Sequence, residues 1–574
     1  MNLKIGKSNG REYLSIAHGY RDPKSKITKT KTIKSLGYLD NLKKQYDDPI
    51  AHFREVVKKM NEDELAQKEL CKIEIDPNTK LTGGGQKNLG YAALSQIYHT
   101  LGLDLLFRNR ARDTKAEYSV NDIMKTEVYA RILFPGSKKC TYENRVLFFE
   151  KNNYSLEDVY RCLSFVNSLK DVIVQHLHLK ITEKYGRATE LTYYDVTNYY
   201  FEIDEQDELR RKGVSKEHRP DPIVQMGLLQ DNKGIPITFE LFAGNTNDCE
   251  TLLSVLCGIK SKFNIAKTIV VADKGLSTHQ NIAAILLQKN GYVFSQKIRG
   301  GHKELKDYVL DEKGYRPIGK HDKIKSRLYP RTLNVIDIHG KTKETRIDEK
   351  QVIFYSADHA KRAKTQREAA IQKAHELVKN PAKYNRATAY GAAKYVKGLE
   401  FDPETGEVAT TKTHLIFDIE KLREEEKWDG YCAIISSELT KSDEEIMGIY
   451  KGLWKIEESF KVTKSDLETR PVYVSTKDHI AAHFLICFIA LTLLRILENQ
   501  LDNEFSSSKI AESLSKTIGY PLQENWYHFA HADEVTKAIE KKMGIPLSNK
   551  FLMTGEIRKI LGATKKLLEE PETT

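Results

Sequence analysis

Cysteine is scarce in this 574-residue chain, and the seven present, Cys71, Cys140, Cys162, Cys249, Cys257, Cys432 and Cys487, are odd in number with no C-x-x-C pair. That pattern excludes a disulfide framework and a zinc ribbon, and it fits a reducing cytoplasm. Long apolar runs are nearly absent as well. Only Ile480 to Leu497 invites comparison with a membrane span. It barely reaches spanning length and contains His483 and Arg495, so it reads as a buried helix and no membrane partner is expected. No signal peptide is expected either, since Met1 opens directly into polar, basic sequence. Neither sign of charge dominates: 91 Lys and Arg face 80 Asp and Glu, a net +11. The excess favours a polyanion and becomes informative where it clusters.

It clusters twice. Residues 1 to 45 hold eleven Lys or Arg against Glu12, Asp22 and Asp40, and residues 297 to 331 hold another eleven against five acids. A chain of this length is too long for one core and divides into several domains or subdomains. Residues 2 to 38 read as short strands with turn signals, and alternating Thr, Ile and Lys at 27 to 34 give a ribbon with one cationic face. Such a ribbon suits a phosphate backbone, and equally a charged edge strand that resists aggregation. Residues 42 to 75 read as charged helix, and Thr82-Gly83-Gly84-Gly85 as a hinge. From Tyr91 to about Arg187 the period is helical. His176 and His178 fall there one residue apart, on different helix faces, and are read as non-ligands.

At Thr189 the period changes. Residues 190 to 202 read as a strand ending near Asp195. Two strands then flank the hairpin turn Asp231-Asn232-Lys233-Gly234. The loop Gly244 to Asp248 leads into a helix around Glu250 to Lys260. A β-branched run ends at Asp273, with Gly275 allowing a tight turn into the next helix, and YVFSQKI closes the block as a strand. Between Arg299 and about Glu438 the chain is expected to leave this core as an insertion of roughly 140 residues, basic at first, with Trp428 at its return. After it, His479 and His483 stand four apart at a metal-ligand spacing, without a catalytic Glu between them or an evident third ligand. Residues 505 to 567 read as short helices with Ser caps.

The most informative stretch is Ile446 to Lys464, IMGIYKGLWKIEESFKVTK. Read as one helix, it carries two parallel stripes. Ile446, Ile449, Leu453, Ile456 and Phe460 make an apolar face, and Tyr450, Trp454, Glu457, Lys461 and Lys464 recur about 100° round the cylinder. One acid flanked by two ammonium groups at the rim of a buried surface suits a grip on phosphate. The same charges also read as ordinary surface pairs on an amphipathic helix worth a few tenths of a kcal/mol. Glu458, next in sequence, projects off the Lys row.

The order Tyr450, Leu453, Glu457, Lys464 resembles the Y-x2-R-x3-E-x6-K signature of the DDE transposases of bacterial insertion sequences, the cut-and-paste group with a ribonuclease H-like core. The loop GNTND and the turn DKG resemble that group too. Leu453 departs from its Arg, so the phosphate contact of that Arg is missing or has moved to Lys451 or Lys455, and Leu276 stands where the group usually has Phe or Tyr. The resemblance implies an α/β fold: a ribonuclease H-like core at 189–299 and 439–500, an insertion subdomain at 300–438, a basic β-rich N-terminal region with helix at 1–81, a helical DNA-binding domain at 82–188 and a helical region at 501–574. It implies Asp195, Asp273 and Glu457 as catalytic carboxylates that bind two Mg²⁺ ions, with Mn²⁺ able to substitute. Three uncompensated carboxylates close together repel, and divalent metal resolves this. Two ions about 3.5–4 Å apart then serve in-line displacement, first by water and then by the freed 3′-OH.

By the same resemblance Lys461 and Lys464 hold phosphates and Tyr450 positions the backbone near the terminal base. Trp428 matches a Trp that relatives stack on a flipped base, and reads also as a core residue. Asp195 and Asp273 read also as turn or helix caps. The partners implied are double-stranded DNA, as terminal inverted repeats and target, and a second copy of the chain in the synaptic complex. The location implied is the bacterial cytoplasm, at the nucleoid. A structure-specific Mg²⁺-dependent nuclease on the same core, and a catalytically silent DNA-binding regulator, are the competing functions.

Overall fold

The computed structural model describes residues 1–8, 10–21, 28–66, 85–112, 114, 116–216, 219–265, 267–336, 339–385, 388–401, 408, 415–522 and 525–566. They fall into two bodies, Met1–Thr82 and Gly83–Thr574. The proposed hinge residues Thr82 to Gly84, Cys71 and the helix expected at 67 to 75 lie outside the described residues.

In the first body, β1 (Asn2–Ser8), β2 (Arg11–Arg21) and β3 (Thr28–Tyr38) form an antiparallel sheet in that order. Leu14, Leu39 and Leu42 are buried with Leu3, Leu36 and Phe53 packed against them, and the helix Pro49–Ala66 follows. Thr30, Lys31, Thr32 and Lys34 are exposed, so the Thr/Lys alternation presents its cations to solvent.

The second body opens with β4 (Lys87–Asn88), followed by helices from Tyr91 to Tyr185. The sheet that organises it is built from β5 (Leu191–Tyr200), β6 (Ile223–Asp231), β7 (Pro236–Ala243), β8 (Ile269–Ala272) and β9 (Gly291–Gln296). To these it adds β10 (Arg316–Ile318), β11 (Asp322–Ile336) and β12 (Thr342–Tyr355). A two-stranded ribbon, β13 (Val396–Lys397) with β14 (Ile416–Phe417), stands apart, and β15 (Tyr431–Ser436) returns to the main sheet. Its order is β10-β11-β12-β15-β9-β8-β5-β6-β7, with β5, β8 and β9 parallel and the other pairs antiparallel. The β6–β7 connection is the expected hairpin, with Gly234 at φ +79° closing the turn.

This mixed α/β body with a large central sheet fits a ribonuclease H-like core. Three expectations are corrected by it. The first strand does not end near Asp195 but runs on to Tyr200, because Val196 to Tyr199 are buried on both faces and their pairing with β6 continues to Tyr200. The chain does not leave the core throughout 300–438: β10, β11, β12 and β15 widen the same sheet, and the stretch between β12 and β15 packs in a cluster of its own around Ala374, Leu377 and Tyr395. The C-terminal region is not wholly helical. It contributes β16 (Ile518–Pro521), β17 (Trp526–Phe529) and β18 (Phe551–Met553), which form a sheet with β4 in the order β18-β17-β16-β4. Asn88 clamps this return by donating from Nδ2 to the Leu514 carbonyl at 2.8 Å.

The apolar run is the helix Lys477–Gln500, capped by Thr476, and among the described residues it is the one helix long and apolar enough to cross a membrane. Here it is the buried axis of the larger body, with 94% of its apolar window inside the protein. Its histidines are not paired on a metal: His479 meets Ser164 Oγ at 3.1 Å and His483 meets the Thr469 carbonyl at 3.1 Å. His176 contacts the Leu101 carbonyl at 2.7 Å, and all the described cysteines are free.

Candidate active site

The parallel strands bring two acids together through their register. Leu191 lies opposite Ile269 and Tyr193 opposite Val271. Asp195 and Asp273 each follow the last of these pairs by two residues, Asp273 just past the end of β8, and the Asp273 charge acts on Asp195. On the other side of β8, Ala272 pairs with Phe294 of β9. The next residue, Ser295, donates from Oγ to Asp273 Oδ1 at 2.7 Å and fixes that carboxylate. Burial pushes the Asp195 carboxyl up to about 6; Lys216 and the Val196 amide pull it down, and Asp273 and Asp248 raise it further. A buried carboxyl raised further by acids beside it forms a site for positive charge.

Glu457 comes from a helix laid along β5. The stretch read as one helix is two, Asp443–Lys451 and Trp454–Lys461, running on into a π-helical turn at Val462–Asp466. The cause of the break is a side chain from β5. Tyr193 Oη donates to the Ile449 carbonyl at 3.3 Å, and the tyrosine ring fills the space at Gly452, where an added Cβ would stand 2.1 Å from that hydroxyl. The chain passes the obstacle with i to i+3 bonds, Leu453 to Tyr450 and Ile456 to Leu453. Both stripes survive. Ile446, Leu453, Ile456 and Phe460 are buried, while Trp454, Glu457 and Lys461 are exposed.

Glu458 is excluded as the exposed acid by its partner, since its carboxylate lies 3.6 Å from Arg495 Nη1 on the central helix. Leu453, in place of the expected Arg, is buried against the core. Of the two lysines that could replace that Arg, Lys455 is engaged, donating to the Asn232 carbonyl at 2.5 Å, whereas Lys451 is exposed. Leu276 is 2% exposed and plugs the turn after Asp273.

Tyr450 is half-buried. Burial, with Cys432, Asp273 and Glu457 beside its hydroxyl, holds its pKa well above the ordinary value, and Ser295 opposes them. It lines a cavity of about 410 Å³ with Asp273, Lys297, Arg299, Tyr431 and Trp428. Trp428 itself is 7% exposed and packs with Ile298, Leu305, Val309, Ile353 and Ala433, so it forms the wall of that cavity. Lys464 is half-buried 5.6 Å above the Tyr199 ring, and its pKa is lowered to about 8 by burial and by Lys216, with Asp195 opposing.

A second cavity, of about 550 Å³, opens beside Asp195 and is lined by Asn198, Lys216, Gln225 and the loop Asn245 to Asp248. Lys216, Ser295 and Asp248 are neighbours of the acids that sequence reasoning did not single out. Among the described residues no three acidic, histidine or cysteine side chains stand close enough to hold a metal ion as placed. Asp195 and Asp273 are juxtaposed, and Glu457 stands on the exposed stripe of the adjacent helix.

Two family models match the chain. Residues 3–69 match the IS1634 family transposase N-terminal domain, and residues 211–493 match the transposase DDE domain. The second span includes Asp273 and Glu457 and begins after Asp195. No curated protein matches. Among solved structures, a piggyBac transposase synaptic complex with hairpin DNA aligns over 84% of this chain and 86% of its own, at 9% identity and a TM-score of 0.36. A likeness of that degree carries no argument here.

Proposed function

This chain is a DDE transposase of insertion sequences, a DNA polynucleotidyl transferase with a metal-dependent domain, and from that premise we propose that Asp195, Asp273 and Glu457 are its catalytic carboxylates. The observation that supports the reading is that Asp195 and Asp273 each follow the end of the parallel β5–β8 ladder by two residues and interact by charge, with the Glu457 helix laid along β5. The donor set fits a hard divalent cation. All three are carboxylates, and Asp195 is raised by burial and, less, by the acids Asp273 and Asp248, which bound positive charge would offset. Asp195 and Asp273 would hold Mg²⁺, as two ions that Mn²⁺ can replace, and Glu457 would complete the set by turning its exposed side chain toward them. When bound, such ions lower the pKa of an attacking oxygen and neutralise charge on the leaving one.

The chain's own residues do the rest. Ser295 holds the Asp273 carboxylate so that it does not swing away. Lys461 and Lys464 grip phosphates of the element end, Lys464 from a half-buried position beside Asp195. Tyr450 orients the backbone next to Asp273, and Trp428 supplies an aromatic wall to the same cavity. The chain binds the terminal inverted repeats of its own element through the basic N-terminal region 1–81 and the helical domain 82–188. It cuts at their ends, then joins the 3′-OH to target DNA on the core that carries Asp195, Asp273 and Glu457. Two ends require two copies, so a homodimer forms in the synaptic complex, in the cytoplasm at the nucleoid.

The test is end cleavage with purified protein, DNA carrying the gene's own flanks and Mg²⁺, comparing wild type with Glu457→Gln. Free 3′-OH ends at the repeat boundary that then join a plasmid, both lost in the variant, are expected. Cutting without joining would identify a nuclease. Tight binding with no cutting by either protein would identify a silent DNA-binding regulator.

A further inference from the structure

The strand ends that carry the acids also open onto a groove of about 600 Å³, walled by the turn after β8, the segment after β9 and the inner face of β11. Lys274, Lys297, Arg327, Arg331 and His302 line it against a single carboxylate, Glu304. The arginines are held in place: Arg327 lies 3.2 Å from Glu304 and Arg331 lies 3.0 Å from buried Glu349. Lys274 and Lys297 are exposed, and among the described residues neither has a hydrogen-bond or ion-pair partner. Lys274 directly follows Asp273, and Lys297 stands two residues after the serine that bonds it. Both also line the smaller cavity with Asp273 and Tyr450. The groove therefore runs from the reaction centre on the Asp273 side, whereas Lys216 and Lys464 act on Asp195.

We propose that this groove seats the sugar-phosphate backbone of the DNA on the far side of the reacting phosphate from the element end, first the flank and then the target. The proposal rests on the active-site assignment above. One centre that cuts and then joins keeps the element end in place and exchanges what lies beyond it. Flank and target differ in sequence, so their seat must read backbone and ignore bases. Unpaired lysines on flexible stems, acting as point charges on phosphate, meet that requirement.

The test uses the full chain with Lys274→Gln and Lys297→Gln combined, and Lys274→Arg with Lys297→Arg as the conservative control. Affinity is measured without divalent metal, for a flush element end and for the same end with a flank, at 50 and 200 mM salt. Wild type is expected to prefer flanked DNA. Each phosphate contact contributes about 0.9 to the salt slope, so loss of two should cost about tenfold more at the lower salt. The Gln pair should lose flank preference, by about ten times more at 50 than at 200 mM salt, and bind the flush end as wild type does, and the Arg pair should retain the preference. In Mg²⁺, joining of pre-cut ends to a plasmid should fall in the Gln pair, more at the lower salt, and hold in the Arg pair.

Equal weakening on flush and flanked ends would overturn the proposal, as would a wild type indifferent to the flank. Loss of flank preference with joining intact would assign the groove to the flank alone and overturn the shared seat. The binding arm needs no catalysis, so it stands or falls separately from the carboxylate assignment.

Discussion

Arg495 is the buried cation behind the catalytic helix, and its removal has a size the structure allows to be worked out. It is 5% exposed on the central helix. Its Nη1 lies 2.6 Å from Glu498 and 3.6 Å from Glu458, and its Nη2 donates to Ser459 Oγ at 3.1 Å. Ser459 in turn donates to Gln230 Oε1 at 2.9 Å, and Ser507 donates to Glu498 at 2.8 Å. One guanidinium thus ties the Glu457 helix to the central helix, and through Ser459 to β6. Arg495→Met leaves the 7% exposed Glu498 carboxylate without its counter-ion. Breaking a buried pair from one side costs about 3–5 kcal/mol.

Arg495→Lys keeps the charge and loses the fork, a loss of about 2 kcal/mol, the scale of one charged hydrogen bond. Arg495→Met combined with Glu498→Leu removes the stranded charge and should recover more than half of the loss. Urea unfolding followed by tryptophan emission reads this, since Trp428, Trp454 and Trp526 all lie in the larger body. For the Lys variant, which folds, end cleavage should need more Mg²⁺ for half-maximal rate, because the helix presenting Glu457 is less fixed. A Met variant within about 0.5 kcal/mol of wild type, the range of an ordinary surface substitution, would refute the reasoning. So would a double variant no more stable than the single.

Other consequences follow from the same geometry. Gly452→Ala should destabilise by about 1–3 kcal/mol, the usual cost of overpacking, because its Cβ would meet the Tyr193 hydroxyl; urea midpoints with and without Tyr193→Phe check this, and the second change should recover part of the loss. Lys464 is a cation below its lowered pKa of about 8 and neutral above it. End-DNA affinity should therefore fall as pH rises from 7 to 9 in wild type and hold in Lys464→Arg, as measured by titration at fixed salt. Glu458→Gln loosens a partly exposed pair worth about 0.5–1 kcal/mol and should leave end cleavage near wild type, in contrast to Glu457→Gln.

What the sequence made legible was local. The β-branched run ending at Asp273, the hairpin at Asp231 to Gly234, and the two stripes through Glu457 are carried by residues adjacent in the chain or one helical turn apart. The break at Gly452 left no mark in that periodicity, because a short stretch of 3₁₀ bonding barely shifts the phase of either stripe, and its cause is a tyrosine on a distant strand. Pairing between strands far apart in sequence carries no local signal. The return of β12 and β15 to the core sheet, and of β16 to β4, could not be read from the residues that make them. Arg495 was visible only as a charge that argued against a membrane span; its role depends on Glu458 and Ser459 arriving from another helix. Lys216 and Ser295 gave no pattern at all, and became visible only when register and loop packing set them beside the acids.

Thiolate substitution reads directly whether Asp273 and Glu457 ligate the metal. Sulfur is a poor ligand for Mg²⁺ and an acceptable one for Mn²⁺. End cleavage by Asp273→Cys and by Glu457→Cys should be lost in Mg²⁺ and return in Mn²⁺, while Glu458→Cys should cut in both. Cleavage by Glu457→Cys in Mg²⁺ at the wild-type rate would contradict the assignment.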